Sequence, residues 1–202
     1  MSTAAIKVLK KDPKLARIIK VVGKYQITTT SNHYESLVEA IITQQLAGSA
    51  AKAISKRFRS LYGKKFPKPA DVLETSDSKL RKTGLSGMKV KYIKDLSKNI
   101  ESKKLKLRSL YKLSDDEIIE QLTQVKGIGR WTAEMFLIFS LGRMDVLPVG
   151  DLGLKKGVQL LNSSAKLPTP DEIEELAEKW RPYRTVATWY LWKSLQKFDT
   201  IG

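Results

Sequence analysis

Two short stretches hold the residues best placed to do chemistry: Val125-Lys126-Gly127-Ile128-Gly129 and Leu147-Pro148-Val149-Gly150-Asp151-Leu152-Gly153-Leu154. In the first, glycines two apart let the backbone turn sharply and bring bare amides up to a ligand. Those amides would stand at the start of a helix, whose partial positive charge suits a phosphate. No side chain there reads a base, so such a contact would be indifferent to sequence. Taken by itself, a Gly-x-Gly is an ordinary turn between helices. In the second stretch, an Asp that follows Pro and Gly and precedes a helical run is by residue type an N-cap. A cap position also holds a carboxylate rigidly, and a fixed anion can stabilise positive charge developing beside it.

Composition removes many other chemistries. There is no cysteine, which excludes disulfides, thiolate zinc sites and iron–sulfur clusters. The single histidine, His33, lacks metal-ligand partners and reads as a surface or capping residue. Asp171-Glu172-Ile173-Glu174-Glu175 reads as a solvated face with a capping role. The net charge of +16 is concentrated in residues 1–110, with 25 Lys/Arg against 8 Asp/Glu; residues 111–202 carry 12 against 13. A basic half of this kind points to a polyanionic partner, nucleic acid before a membrane surface, because counterion release drives phosphate binding. No run approaches the ~18–20 apolar residues of a membrane span. The start, MSTAAIKVLKKDPK, has no apolar signal core, so an intracellular protein is expected.

The elements that must position these residues are helical nearly throughout. Asp12-Pro13 caps a helix over 13–22 that ends at Gly23. Leu37, Val38, Ile41, Ile42 and Gln45 give a helix from Tyr34 to Leu46, broken by Gly48. A basic amphipathic helix over about 49–62, two short helices in 69–83 and one over about 87–101 follow. Ser114 with Glu117, and Thr169 with Glu172, make capping boxes, the first opening a helix over about 115–124. Trp131 to Leu141 is almost wholly apolar and predicts a central buried helix; Pro182 opens a last helix through about Lys197. Tyr25 to Thr30 is the one plausible strand, and it has no convincing partner. The expected class is all-α.

The string LTQVKGIGRWTA resembles a helix-hairpin-helix DNA-binding element. Residues 121–158, with IGRWTAEMFLIFSLGRMDVLPVGDLGLKKGV, resemble the helix-hairpin-helix Gly/Pro-Asp superfamily of DNA glycosylases, specifically its 3-methyladenine DNA glycosylase II branch. SLVEAIITQQLAGSAAKAI at 36–54, GLSGMKVKYI at 84–93 and WRPYRTVATWYLWK at 180–193 extend the resemblance over roughly residues 30–197. It implies a helical core of about ten helices in two lobes with the active-site cleft between them. One lobe is expected from about 30–110, and the hairpin and catalytic lobe from about 111–202 with the N-terminal segment, the whole chain making a single catalytic domain.

The resemblance makes Asp151 the catalytic carboxylate, acting on N3- and N7-alkylated purines such as 3-methyladenine and 7-methylguanine flipped out of double-stranded DNA. Alkylated purines already carry positive charge and leave without a strong general acid. Relatives that also nick DNA place a Schiff-base lysine just after the hairpin; Trp131 stands here, which implies a monofunctional enzyme. Trp131 and Trp192 match aromatic base-pocket positions, and Met135 replaces a pocket tyrosine, whereas Trp180 and Trp189 read as core. Gln45 falls at the wedge that fills the hole in the stack, where the bacterial enzyme has leucine. Lys126, Gly127, Ile128, Gly129 and Thr132 would hold the DNA backbone, although Thr132 could equally bond within its own helix. Carbonyls of Thr123, Val125 and Ile128 match those that hold a monovalent cation in some relatives. No cofactor is implied, and a monomer is expected. Two rivals stand beside this reading. A non-catalytic DNA-binding module would tolerate Asp151→Asn, and a bifunctional oxidised-base glycosylase would need the lysine that Trp131 replaces.

Overall fold

The computed structural model describes residues 2–46 and 48–198. Along the chain run α1 (Ser2–Leu9), α2 (Pro13–Val22), α3 (His33–Thr43), α4 (Gly48–Ser60), α5 (Pro69–Glu74), α6 (Asp77–Lys82), α7 (Gly87–Glu101), α8 (Asp115–Thr123), α9 (Arg130–Phe139), α10 (Leu152–Asn162), α11 (Pro170–Ala177) and α12 (Arg184–Phe198). Short 3-10 helices cover Leu107–Lys112 and Glu178–Trp180. No strand occurs among the described residues, so the all-α expectation holds. Residues 25–30 lack a partner to close a ladder; instead Tyr25 packs edge-on against Trp189, with ring centroids 5.0 Å apart. No described helix is long and apolar enough to cross a membrane.

The chain divides into two compact units, residues 1–29 with 137–202, and residues 30–136. This differs from the lobes expected from sequence, because the hairpin groups with 30–110 and not with the C-terminal segment. Its own hydrogen bonds, given below, account for that.

In the unit of 1–29 and 137–202, α2, α10 and α12 surround a core that includes Leu15, Ile19, Leu154, Val158, Val186 and Leu191. Each such side chain, buried from water, contributes about 1.5–3 kcal/mol. The close approach of α10 to α12 needs Gly157, where a Cβ would lie 2.7 Å from that of Leu191. Asp12 ties the N-terminal helices to this core. Its Oδ1 caps α2 at Lys14 N (3.0 Å), while its Oδ2 accepts from Trp180 Nε1 and Lys179 Nζ, both at 3.0 Å. Burial pushes the Asp12 carboxyl upward, but those donors outweigh it and hold the pKa below its ordinary value. Trp180 and Trp189 are buried, as expected of core residues.

In the unit of 30–136, the apolar face of α3 (Leu37, Val38, Ile41, Ile42) packs with α4 and α7. Tyr34 and Ser97 share a buried hydroxyl hydrogen bond of 2.6 Å. Asn32 caps α3, and His33 is its half-buried first residue, edge-on to Phe136. Burial lowers the His33 pKa. The capping boxes at Ser114–Glu117 and Thr169–Glu172 form as expected. Among the boundaries that move, α3 stops at Thr43 instead of Leu46, α9 stops at Phe139 instead of Leu141, and α12 starts at Arg184, whose N–H donates to Asp145 Oδ1 (3.2 Å), instead of at Pro182.

Candidate active site and nucleic-acid interface

Asp151 is the N-cap of α10: its Oδ1 accepts from Leu154 N at 2.7 Å. The same oxygen accepts from Trp192 Nε1, also at 2.7 Å, so a donor on α12 fixes the carboxylate as well. Gly153 makes room for this arrangement, since a Cβ there would stand 2.9 Å from the indole and 3.0 Å from Oδ1. The loop leading to Asp151 is held in turn by the start of α12. Thr185 Oγ1 donates to Arg143 O (2.8 Å) and accepts from Val146 N (2.9 Å), and Arg184 and Arg181 both bind the Asp145 carboxylate. A turn closed by Asp151 N to Pro148 O (2.8 Å) then delivers the carboxylate. This is a half-buried anion whose position is set from three directions.

The hairpin is clamped with equal care. Lys126 N donates to Asp95 Oδ2 (3.0 Å) on α7, and Ile128 N donates to Val125 O (3.1 Å). Gly127 O accepts from Gln44 Nε2 (2.9 Å). Gly127 has φ +84°, and any Cβ there would collide with the Tyr92 ring, so only glycine fits. The amides of Lys126 and Ile128 are therefore committed inside the protein. Among the described residues, the N–H groups of Gly127 and Gly129 have no partner within the chain, and nothing lies within 4 Å of a Cβ built on Gly129. Thr132 is likewise turned inward: it is buried, and its hydroxyl accepts from Gln44 (3.4 Å). Val125 O, one of the three carbonyls matched to a cation site, already accepts the Ile128 amide.

Gln45 is exposed on the turn after α3, with φ +55°. It lines a cavity of about 720 Å³ together with Lys89, Tyr92, Thr123 and residues 125–129. Helix α9 is buried on one side only. Trp131 is 47% exposed, Met135 half-buried and Phe139 37% exposed, four residues apart on one face. Phe139 stacks on Trp192 with ring centroids 6.0 Å apart. Gln44, Lys89, Asp95 and Phe139 were not picked out from sequence. Only Phe139 had a local signal, its spacing of four from Met135. No group of His, Cys, Asp or Glu among the described residues could hold a metal ion.

The family profile described as "HhH-GPD superfamily base excision DNA repair protein" matches residues 38–182. A curated relative, DNA-3-methyladenine glycosylase 1 of Schizosaccharomyces pombe, is 38% identical over 193 residues, 93% of this chain and 85% of the relative. The solved structure of S. pombe 3-methyladenine DNA glycosylase in complex with abasic DNA superposes with a TM-score of 0.86 at 37% identity, covering 96% of this chain and 97% of that one. A DNA-3-methyladenine glycosidase from Bacillus halodurans gives 0.87 at 39% identity, covering 96% and 89%.

Proposed function

Because the chain belongs to the HhH-GPD superfamily of base excision DNA repair proteins, we propose that it is a DNA-3-methyladenine glycosylase, releasing 3-methyladenine and 7-methylguanine from double-stranded DNA. The observation that carries this reading is the Asp151 carboxylate, which lies within the matched span and is held through Oδ1 by Leu154 N and Trp192 Nε1. Cleavage of an N-glycosidic bond leaves positive charge on the sugar, and an anion that needs no reorganisation stabilises it. The S. pombe relative, a DNA-3-methyladenine glycosylase similar over nearly the whole chain, points the same way.

The other contacts follow from their geometry. The Gly127 and Gly129 amides bind a DNA phosphate at the start of α9, with the Lys126 side chain adding charge. Thr132 acts within the hairpin's internal bonding, where its hydroxyl accepts from Gln44, and not by bonding the phosphate. Trp131, with Met135 beside it, receives the flipped base, and a cationic purine gains about 0.5–2 kcal/mol from cation–π attraction. Trp192 serves first as the donor that holds Asp151. Gln45 fills the space left in the stack. Residues 1–202 work as one catalytic domain and as a monomer.

Trp131 in place of a Schiff-base lysine makes the enzyme monofunctional: it hydrolyses the N-glycosidic bond, frees the base and leaves the strand intact. Borohydride should trap no covalent DNA adduct, and a trapped adduct would refute this part of the reading. The primary test is base release from methylated DNA by wild type and Asp151→Asn, with chromatography of the freed bases. Wild type should release alkylpurines. The variant should bind DNA yet release at least about a hundredfold more slowly. Equal release by both would remove Asp151 from the mechanism.

A further inference from the structure

The turn that carries Gln45 is gripped by two side chains outside the DNA contacts proposed above, and we propose that Gln44 and Lys89 are positioning residues that set this turn for insertion into the duplex. The inference rests on the reading that the enzyme flips a base and that Gln45 takes its place. Gln45 has φ +55°, the left-handed region that a residue with a side chain adopts only where its surroundings impose it. Its own side chain is exposed, and the residue before it is held at both its carbonyl and its side chain. Lys89 Nζ donates to Ile42 O at 2.7 Å and to Gln44 O at 2.8 Å. These carbonyls lie at the end of α3, where the helix itself supplies no donors. Gln44 Nε2 reaches the opposite way, to Gly127 O at 2.9 Å and Thr132 Oγ1 at 3.4 Å. Gln44 is thus fixed at its carbonyl by α7 and at its side chain by the hairpin.

The consequence is mechanical. Gln45, Lys89, Gly127 and Gly129 line one cavity, and Gln44 bonds the turn proposed to enter the stack to the hairpin proposed to seize the phosphate. Gln44 bonds the same Gly127 whose N–H faces the phosphate. A backbone gripped by the hairpin therefore meets Gln45 at a set distance, and freeing either clamp lets the turn yield when the duplex resists. Lys89 as a mere helix C-cap would leave excision dependent on overall stability alone.

The test is single-turnover release of 7-methylguanine from two duplexes, one with cytosine opposite the damaged base and one with an abasic site opposite it. The second lowers the cost of extrusion. Lys89→Met and Gln44→Met should each slow release from the paired duplex about tenfold, the scale of the hydrogen bonds they remove. The loss should shrink to less than about threefold on the unpaired duplex, where extrusion no longer limits the rate. Lys89→Arg, still able to donate to two carbonyls, should recover the paired rate. Equal losses on both duplexes, or no loss on either, would overturn the proposal. Hydrogen exchange reads the same clamp without DNA. The Leu46 amide, bonded to Thr43 O at 3.2 Å, should exchange faster in Lys89→Met while α4 and α7 are unchanged; unchanged exchange at Leu46 counts against the clamp. If wild type releases no base from either duplex, the glycosylase reading fails, and the exchange measurement still decides whether the turn is held.

Discussion

Trp192 Nε1 donates to Asp151 Oδ1 at 2.7 Å, so the proposed catalytic carboxylate takes its orientation from a helix 41 residues further along the chain. Trp192→Phe removes the donor and keeps an aromatic ring against Phe139. A hydrogen bond to a charged acceptor contributes about 1.5–3 kcal/mol, which bounds the loss at roughly ten- to a hundredfold in the rate of base release. Affinity for an abasic duplex should change little. An unchanged single-turnover rate would show that Asp151 keeps its orientation without Trp192.

Gly127 and Gly129 look alike in sequence and should behave differently when changed. Gly127→Ala meets both a positive φ and the Tyr92 ring, and should cost about 2 kcal/mol or more of stability along with DNA binding. Gly129→Ala meets nothing within 4 Å, so the fold should survive and any loss should appear in binding to DNA. Thermal melts beside fluorescence-anisotropy titrations separate the two effects. Equal melting temperatures for both variants would contradict the packing of Tyr92 on the hairpin.

What the sequence made legible follows from how local each interaction is. The caps at Asp12, Ser114 and Thr169 and the cap role of Asp151 were readable because each bond spans two or three residues. The burial of Trp180 and Trp189 followed from their apolar surroundings. The clamps were not readable: Lys89 to Gln44, Asp95 to Lys126 and Gln44 to Gly127 span 45, 31 and 83 residues, and no periodicity encodes them. The same blindness misplaced the end of α3, where apolar spacing ran on to Leu46 although Lys89 takes the helix's last carbonyls. On α9, near-continuous apolarity suggested burial on all sides. Exposure of Trp131 and Phe139 shows that one face of the helix is left for something other than the core.

Asp12 gives a pH prediction whose sign is fixed by its lowered pKa. A carboxyl depressed by folding stabilises the native state above the pKa of the unfolded chain, and that contribution disappears as pH falls through the folded value. Asp12→Asn keeps an oxygen to cap α2 but loses the charge facing Lys179 and Trp180. At pH 7 it should be less stable than wild type by about 1–3 kcal/mol. The gap should start to close only as pH falls below the unfolded carboxyl's value of about 4, and should vanish once pH is below the lower folded value, where the wild-type carboxyl is also neutral. A gap independent of pH would mean that shape, and not charge, is what Asp12 supplies.

Trp131 offers the sharpest division between structure and substrate. At 47% exposure Trp131 lies outside the core, so Trp131→Ala should cost less stability than truncation of a buried tryptophan, below about 3 kcal/mol. If its ring instead receives the flipped base, the variant forfeits a cation–π contact of about 0.5–2 kcal/mol, roughly a two- to thirtyfold slower release of 7-methylguanine. Trp131→Phe, with a weaker but still electron-rich face, should fall between. A neutral base such as hypoxanthine, if released at all, should lose less than the cationic purine, because stacking survives in part where charge attraction has no role. Met135→Tyr adds an aromatic ring one turn further along the same face, and should shift the ratio of 3-methyladenine to 7-methylguanine among the freed bases. Chromatography of bases released from one methylated substrate reads all of these together. Equal losses for cationic and neutral bases in Trp131→Ala would put Trp131 outside the pocket, leaving its exposure to be explained by packing against DNA.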